Sequence, residues 1–345
     1  MKKILFFLLL ILFSCSNDET QISEPVVDDL YFPAIDSDQW ETLNPEELNW
    51  DSVGIDNLYN FLQLNNTRAF VVLKDGKIVL ENYWGNNFSN TAPFDSNSNW
   101  YWASAGKTLT AFLVGIAKDN GILSLEDSSS TFLGNGWTSL EESQESLIKI
   151  KHHLTMTTGL DYLVDNLNCT DPNCLTYKNT PGTNWFYHNA TYSLLKDVIE
   201  NTSETTYNDF TNQKVKMKIG MGGSWIQSNY SNIYWSTARD MARFGLLILN
   251  EGVWDNQVIL SDTNYFSNMV NTSQQMNESY GYLWWLNGKD SLIPPGITFP
   301  IQTSLASNAP EDLIAGMGKN GQYLDVIPSQ NLVIIRMGEA PDSDD

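Results

Sequence analysis

The stretch that decides the fold of this chain is Asn99-Trp100-Tyr101-Trp102-Ala103-Ser104-Ala105-Gly106-Lys107-Thr108. A strongly apolar segment, 109–117, follows it and predicts a buried helix. Ser104 and Lys107 lie three residues apart at the start of that helix, so their side chains share one face. The lysine amine therefore reaches the serine hydroxyl and can serve as the base that a serine nucleophile requires. The pattern S-x-x-K is a signature of serine acyl transfer.

This signature is weak by itself, because four residues with two fixed positions also arise by chance. A second copy occurs at Ser146 and Lys149, within a charged segment. No aromatic approach precedes that copy and no long apolar helix follows it, so we interpret it as surface chemistry. Ser104 needs support from the rest of the chain.

The beginning of the chain predicts export. Residues 1–14 form a basic start and a short apolar run, which is the layout of a signal peptide and too short to span a bilayer. The run ends at Cys15 in a pattern that resembles a bacterial lipobox, which predicts a lipid on Cys15 and anchoring at a membrane surface facing the periplasm or cell exterior. The alternative is an ordinary signal peptide with an incidental cysteine. Residues 15–45 are polar and predict a flexible tether.

Composition excludes some partners. The formal net charge of −22 over 345 residues repels phosphate backbones, so we predict no nucleic-acid binding. The length and the 42% hydrophobic content suit one large domain with a full core. In an oxidising compartment, Cys169 and Cys174 predict a small disulfide-closed loop. Metal ligands do not cluster in the sequence, and we predict no metal and no cofactor.

The order of elements is mixed. Residues 55–64 predict an amphipathic helix, and two β-rich runs around Asp75-Gly76 predict a hairpin. Residues 280–286 predict a strand, and the glycine-rich 315–328 predicts a turn into a strand that pairs with 331–337. The adjacent histidines His152 and His153 diverge on a helix, so we interpret them as structural rather than as metal ligands.

A second chemical motif is Tyr187-His188-Asn189. Other Y-x-N triplets begin at Tyr177 and Tyr230, but only the copy at Tyr187 follows a Pro-Gly turn with aromatic residues and precedes a helix. A tyrosine near lysines can have a lowered pKa and act as a base, and Asn189 can hold a lysine or a substrate amide. The alternative for Tyr187 is a core aromatic residue.

A third motif is Lys319-Asn320-Gly321, a K-x-G pattern at a predicted strand edge. Competing copies begin at Lys74, within the predicted hairpin turn, and at Lys218, which no strand follows. A backbone N–H beside the glycine of an edge strand can face a cleft and stabilise an oxyanion.

Together these motifs resemble the serine β-lactamase and penicillin-binding-protein superfamily, and in particular its class C-like esterases, peptidases and 6-aminohexanoate-dimer hydrolases. The resemblance covers residues 47–338. It implies an α/β (α+β) fold in which a central antiparallel sheet from both chain ends is flanked by helices. We therefore expect one hydrolase domain over 46–338, with a mostly helical region inserted at about 108–205. Residues 339–345 form an acidic tail.

The resemblance also implies roles for named residues. Ser104 is expected to be the acylated nucleophile, and Lys107 and Tyr187 to share proton transfer. Side chains and backbone groups expected to bind substrate or its oxyanion are Asn189, Lys319, Gly321 and Gln322. Gln322 stands where β-lactamases usually carry a smaller residue or a hydroxyl, which favours an esterase or amidase. A terminal helix found in many relatives is expected to be missing or very short.

Two functions from different classes follow. The first is an exported serine hydrolase acting on an ester, an amide or a small peptide. The alternative is a non-catalytic lipoprotein of the cell envelope that binds cell-wall peptide or a β-lactam as a sensor. Aromatic residues, above all Trp102 and Trp285, predict a hydrophobic acyl or aryl pocket. The oligomeric state is not predicted.

Overall fold

A computed structural model describes residues 30–341 of the chain. The signal peptide, Cys15 and the first part of the tether therefore lie outside the described residues, and their predicted roles stay predictions. None of the helices in residues 30–341 is long and apolar enough to cross a membrane.

The α-helices of the described residues are α1 Ser52–Leu64, α2 Gly106–Asp119, α3 Ser130–Leu133, α4 Glu142–Glu145, α5 Ile150–Leu154, α6 Asn189–Ser203, α7 Tyr207–Thr211, α8 Met217–Ile219, α9 Ala238–Leu249 and α10 Thr263–Met269. The strands are β1 Thr67–Lys74, β2 Lys77–Tyr83, β3 Trp100–Tyr101, β4 Ser224–Ser228, β5 Ser231–Ser236, β6 Val253–Trp254, β7 Gln257–Val258, β8 Trp285–Leu286, β9 Ile314–Gly318, β10 Gln322–Ile327 and β11 Leu332–Gly338.

A six-stranded antiparallel sheet organises the molecule, with the strand order β2-β1-β11-β10-β9-β8. The first two strands come from the beginning of the described chain and the others from its end. Between them in sequence lies the helical region that begins with α2. This arrangement confirms the predicted fold class.

Helices cover both faces of the sheet. On the inner face α2 and α9 are buried almost throughout, because the apolar run of α2 continues on all sides of the helix. A Cβ at Gly245 of α9 would lie 2.4 Å from a Val333 methyl group, so this glycine permits the close packing of α9 against β11. On the outer face α1 packs on β1 and β2 through a smaller apolar cluster that includes Leu62, Phe70 and Leu80.

The predicted hairpin around Asp75-Gly76 is present as β1 and β2. The predicted strand 280–286 is wrong except at its last two residues, which form β8. The chain turns before β8, because Gly281 N–H donates to Trp284 C=O and Leu283 has a φ of +60°. An edge strand of two residues leaves the following part of β9 without a neighbour on that side.

The predicted tether is also wrong for residues 30–45, which we call the strap. The strap packs along the hairpin: Tyr31 N–H donates to Asp75 C=O at 3.0 Å, and Trp40 Nε1–H donates to Gly76 C=O at 2.7 Å. The polar composition of these residues predicts flexibility, but their backbone carbonyls accept hydrogen bonds from a buried cation. The sequence pattern carries no sign of this contact.

Arg243 of α9 is that cation. Its buried guanidinium donates to Ala34 C=O at 3.0 Å and to Ser37 C=O at 2.9 Å, and it lies over the rings of Trp40 and Trp254. Burial lowers the pKa of Arg243 from its ordinary value because it removes water from the charge. The hydrogen bonds to the carbonyl dipoles of the strap offset part of this desolvation penalty. The strap is thus part of the folded domain.

We predict that a chain beginning at residue 46 is less stable than one beginning at residue 20. Its free energy of unfolding should fall by about 3–6 kcal/mol, because the strap supplies Arg243 with the Ala34 and Ser37 hydrogen bonds and each bond to a charged group contributes about 1.5–3 kcal/mol. Urea denaturation followed by tryptophan fluorescence measures the difference. A chain beginning at residue 30 is the control and should match the longer one, whereas equal midpoints for all three chains would show that the strap adds no stability.

Candidate active site

Ser104 lies in a tight turn, Ala103–Ala105, that leads directly into α2. The residue before it, Ala103, has a φ of +48°, in the left-handed region that alanine rarely adopts. Such a conformation costs on the order of 1–3 kcal/mol and persists where the surroundings impose it. The turn presents the Ser104 side chain to a cavity, with the positive end of α2 beneath it.

Lys107 contacts the serine from the first turn of α2. Its Nζ lies 2.9 Å from Ser104 Oγ. The amine is buried over the rings of Tyr187 and Tyr192, at 5.0 and 4.1 Å from their centroids. Burial lowers the pKa of Lys107 to about 7. A large fraction of this amine is therefore neutral at neutral pH and able to accept a proton.

Tyr187 completes the contact from the other side, since its hydroxyl hydrogen-bonds with the Ser104 side chain. Burial raises the pKa of Tyr187 to about 12, and the hydrogen bond to Ser104 only partly opposes this rise. The lowered pKa that the sequence analysis predicts for Tyr187 is therefore wrong. Tyr187 stays protonated at neutral pH and can donate a proton.

Aromatic packing holds Tyr187 in place. The ring of Trp285 stacks on it at 5.8 Å between centroids and an interplanar angle of 19°. Tyr280 packs edge-on against both rings. Trp285 comes from β8, so the two-residue edge strand anchors the aromatic support of the tyrosine.

Asn189 is the first residue of α6 and lies on the same cavity as Ser104 and Tyr187. Its side-chain Oδ1 is buried and has no hydrogen-bond partner within the described part of the chain. An unsatisfied buried acceptor is costly, so a substrate N–H or O–H donor at this position would relieve that cost.

The cavity has a volume of about 430 Å³ and a mainly apolar wall. Its lining residues are Ser104, Leu167, Tyr187, Asn189, Trp285, Leu292, Pro294, Pro295, Gly296, Leu305, Met317, Gly318 and Lys319. Lys319 is exposed and is the charged side chain of this set. The wall suits an apolar group, with one cation available at the edge.

The end of β9 closes against the serine turn. A Cβ on Gly318 would lie 2.4 Å from Trp102 O and 3.1 Å from Ala105 N, so a side chain at this position would separate the strand from the turn. This close approach requires glycine at 318. It places the neighbouring backbone of Met317 beside Ser104, along the wall of the cavity.

Met317 presents its backbone N–H to the cavity side of β9. Asn287 N–H donates to Leu313 C=O at 2.9 Å, so Leu313 faces the β8 side. Backbone groups alternate sides along a strand, so Ala315 and Met317 face that side too. The β8 pairing reaches only Ala315. The N–H of Met317 therefore points past the end of β8 into the cleft, where an oxyanion donor is needed.

The structure does not bring three predicted residues into the cavity. Gln322 pairs with Gly318 in the ladder, and its buried side chain donates to Gly338 C=O and accepts from Gly338 N–H. Gly321 lies in the β9–β10 turn beside Arg336. Both belong to the far side of the hairpin, so the prediction that they bind the oxyanion is wrong. The K-x-G pattern marked the turn rather than the exposed edge of β9.

Trp102 is the third misplaced residue. It is fully buried, donates from Nε1 to Ser236 Oγ at 2.8 Å, and packs on Tyr234 and Phe244. It supports the serine turn from below instead of lining the pocket. Met317 and Tyr192, which sequence reasoning missed, carry no motif of their own. The alternation of residues along an edge strand was the one available signal for Met317.

The remaining predicted groups are structural. Cys169 and Cys174 form a disulfide in the loop that supplies Leu167 to the cavity. His153 is buried between Ser129 Oγ and Thr191 C=O, and burial lowers its pKa to about 4. Within residues 30–341, no group of three or more His, Cys, Asp or Glu side chains is arranged to hold a metal ion.

A second cavity, of about 490 Å³, lies beside the strap. It is slightly larger, but its two arginines already have partners: Arg239 pairs with Glu81, and Arg243 donates hydrogen bonds to the strap. Among its lining residues no serine lies beside a buried lysine. The Ser104 cavity is therefore the candidate active site.

Comparisons with known proteins agree with this fold. The Beta-lactamase family model matches residues 67–344. A proposed 6-aminohexanoate-dimer hydrolase from Bacillus anthracis superposes with a TM-score of 0.64 at 19% identity, covering 83% of this chain and 77% of that one. A penicillin-binding protein from Bacillus halodurans superposes with a TM-score of 0.62 at 17% identity, covering 83% and 96%. No curated protein matches the chain.

The matched family model extends over most of the chain, and the solved structures share its fold. Ser104 and Tyr187 line one cavity of that fold, and the buried Lys107 contacts Ser104 beneath its wall. The chain belongs to the beta-lactamase family and is a serine hydrolase of the β-lactamase and penicillin-binding-protein superfamily.

Proposed function

We propose that this protein is an exported, membrane-anchored hydrolase that forms an acyl-enzyme on Ser104 and hydrolyses an uncharged ester or amide. The observation that carries the proposal is the contact of 2.9 Å between Lys107 Nζ and Ser104 Oγ. An amine with a pKa of about 7 at that distance is an effective base for a serine hydroxyl. A protein that only binds its ligand has no need of such a pair, and this weighs against the sensor alternative.

In the acylation step, neutral Lys107 accepts the Ser104 proton as Oγ attacks the carbonyl carbon of the substrate. The negative charge that develops on the carbonyl oxygen is stabilised by the backbone N–H groups of Ser104 and Met317. Tyr187 donates its proton to the leaving oxygen or nitrogen, and Lys107 returns a proton to the tyrosine. Water then attacks the acyl-enzyme with Lys107 again as base, which releases the acid and regenerates the Ser104 hydroxyl.

The apolar wall of the cavity supports an apolar acyl group. Trp285, Leu305 and Met317 offer surface for such a group, and burying it contributes roughly 25 cal/mol per Å². Lys319 is exposed at the edge and does not narrow the choice between ester and amide. We consider a carboxylated lactam a less suitable substrate than an uncharged ester or amide, because the Gln322 side chain points away from the cavity and offers no group to a carboxylate.

Export and anchoring rest on residues 1–15. A basic start, a short apolar run and Cys15 together support a lipoprotein signal. The Cys169–Cys174 disulfide supports the same proposal, because such bonds persist in oxidising compartments.

The first prediction from this proposal concerns the nucleophile. A chain beginning at residue 20, incubated with a fluorophosphonate, should gain the mass of one adduct, and peptide mapping should place it on Ser104. Ser104→Ala is the control and should gain no mass. An adduct at another serine, or none on folded protein, would remove Ser104 as the nucleophile.

The second prediction concerns pH. The value of kcat/KM on a soluble ester should rise about tenfold per pH unit below a midpoint near pH 7 and level off above it, because the neutral fraction of Lys107 grows as pH increases. Tyr187→Phe should lower the plateau and leave the midpoint in place. If the rise with pH persists in Lys107→Ala, another group is the base.

The third prediction concerns the oxyanion donor. Met317→Pro removes the β9 N–H that faces the cleft and should lower kcat by about 10²–10³-fold. Proline is tolerated at an edge position whose N–H does not enter the ladder, so folding should survive. Met317→Ala keeps the N–H and is the control. Equal rates for the two variants would show that another backbone group stabilises the oxyanion. Circular dichroism checks that each variant is folded.

A further inference from the structure

An arm of the chain, residues 292–301, projects beside the active-site cavity. Its two ends pair with each other: Leu292 N–H donates to Ile301 C=O at 3.1 Å, and Ile301 N–H donates to Leu292 C=O at 2.8 Å. Asn277 fixes the base, since its side chain donates to Ile293 C=O and accepts from Ile293 N–H, both at 3.1 Å. The arm is therefore a hairpin-like projection held firmly at its base.

The outer surface of the arm is apolar. Phe299 is 63% exposed and Ile301 is 39% exposed. The sequence 291–310 contains no Asp, Glu, Lys or Arg, although the whole chain carries 60 such residues as 41 acids and 19 bases. A long exposed segment without charge is unusual on an acidic protein, and exposed apolar clusters mark interaction surfaces.

The arm is continuous with the cavity. Leu292, Pro294 and Pro295 line the wall beside Ser104, while Phe299 and Ile301 of the same hairpin face solvent. The loop that supplies Leu167 to the same cavity also carries Leu163, which is 76% exposed. Apolar surface thus extends from the reacting serine to the outside of the molecule on two loops.

We propose that the arm and Leu163 form a docking surface for an uncharged apolar aggregate, such as an emulsified ester, from which the substrate enters the cavity. This proposal rests on the proposed hydrolase function and names the physical form of its substrate. Contact with the aggregate buries Phe299, Ile301 and Leu163 together and removes water from the path to Ser104. The substrate class is a neutral ester with an apolar acyl chain.

Charge complementarity selects a neutral surface over an anionic one. The chain has a formal net charge of −22, so it is repelled by a surface rich in anionic headgroups. The arm offers no lysine or arginine to offset that repulsion. A neutral aggregate meets no such barrier, and its apolar interior matches the exposed side chains.

Activity tests the proposal first. A chain beginning at residue 20 keeps every described contact, because these all lie within residues 30–341. Its rate on tributyrin should rise steeply once the ester exceeds its solubility limit. Phe299→Ser with Ile301→Ser should abolish that rise and change kcat/KM on dissolved p-nitrophenyl butyrate less than about twofold, since neither side chain lines the cavity.

The matched control is Phe61→Ser with Val258→Ser. These side chains are 58% and 55% exposed on α1 and β7, which contribute nothing to the cavity. The control variant should retain the steep rise. If the unmodified chain shows no rise, or if the arm variant keeps it, the proposal is overturned, while activity on the dissolved ester leaves the proposed function standing.

A binding experiment tests the docking surface independently of the hydrolase function. Ser104→Ala, which cannot acylate, should float with a tributyrin emulsion, and adding the arm substitutions should weaken that binding by about tenfold or more. Vesicles of phosphatidylglycerol should retain less protein than the neutral emulsion. Equal binding by the arm variant, or preference for the anionic vesicles, overturns the docking surface. Binding without any ester hydrolysis supports the surface and counts against the hydrolase.

Discussion

The active site depends on one physical constraint: a lysine amine is buried beside a serine hydroxyl, and its surroundings supply desolvation rather than a counter-charge. Burial is the cause of the lowered pKa of Lys107, and the neighbours over which the amine lies are tyrosine rings. A carboxylate at this position would raise the pKa again and keep the amine protonated. The dense packing of α2 against Tyr187 and Tyr192 therefore contributes to chemistry as well as to stability.

The same desolvation makes one neighbour of Ser104 a base and the other an acid. It favours the neutral form of every ionisable group, so it lowers the pKa of an amine and raises that of a phenol. Lys107 becomes a base near neutrality and Tyr187 becomes a firmly protonated acid, although both contact Ser104. A single apolar enclosure thus separates the roles of the two groups without a further charged residue, and Trp285 maintains that enclosure by stacking on the tyrosine.

The sequence was informative where the chemistry is local. Three residues of one helix turn place Lys107 beside Ser104, and the helix start after Tyr187 places Asn189 near both, so spacing was sufficient. It failed where position depends on the sheet. Gln322 and Met317 are five residues apart, but strand register and alternation decide which of them faces the cleft. Burial of Trp102 and packing of the strap on Arg243 depend on elements more than a hundred residues away, which no local pattern encodes.

The strap meets the sheet at one end and the chemistry takes place at the other. Tyr31 contacts the β1–β2 turn at Asp75, whereas Gly318 and the serine turn lie near the opposite ends of the strands, roughly 20 Å away at about 3.3 Å per residue. This separation determines where a label can be attached without blocking the active site. A fluorophore or an immobilisation tag placed ahead of residue 30 joins the folded domain far from the cavity mouth, so the enzyme can be fixed to a bead or a sensor chip by that end with its substrate path left open.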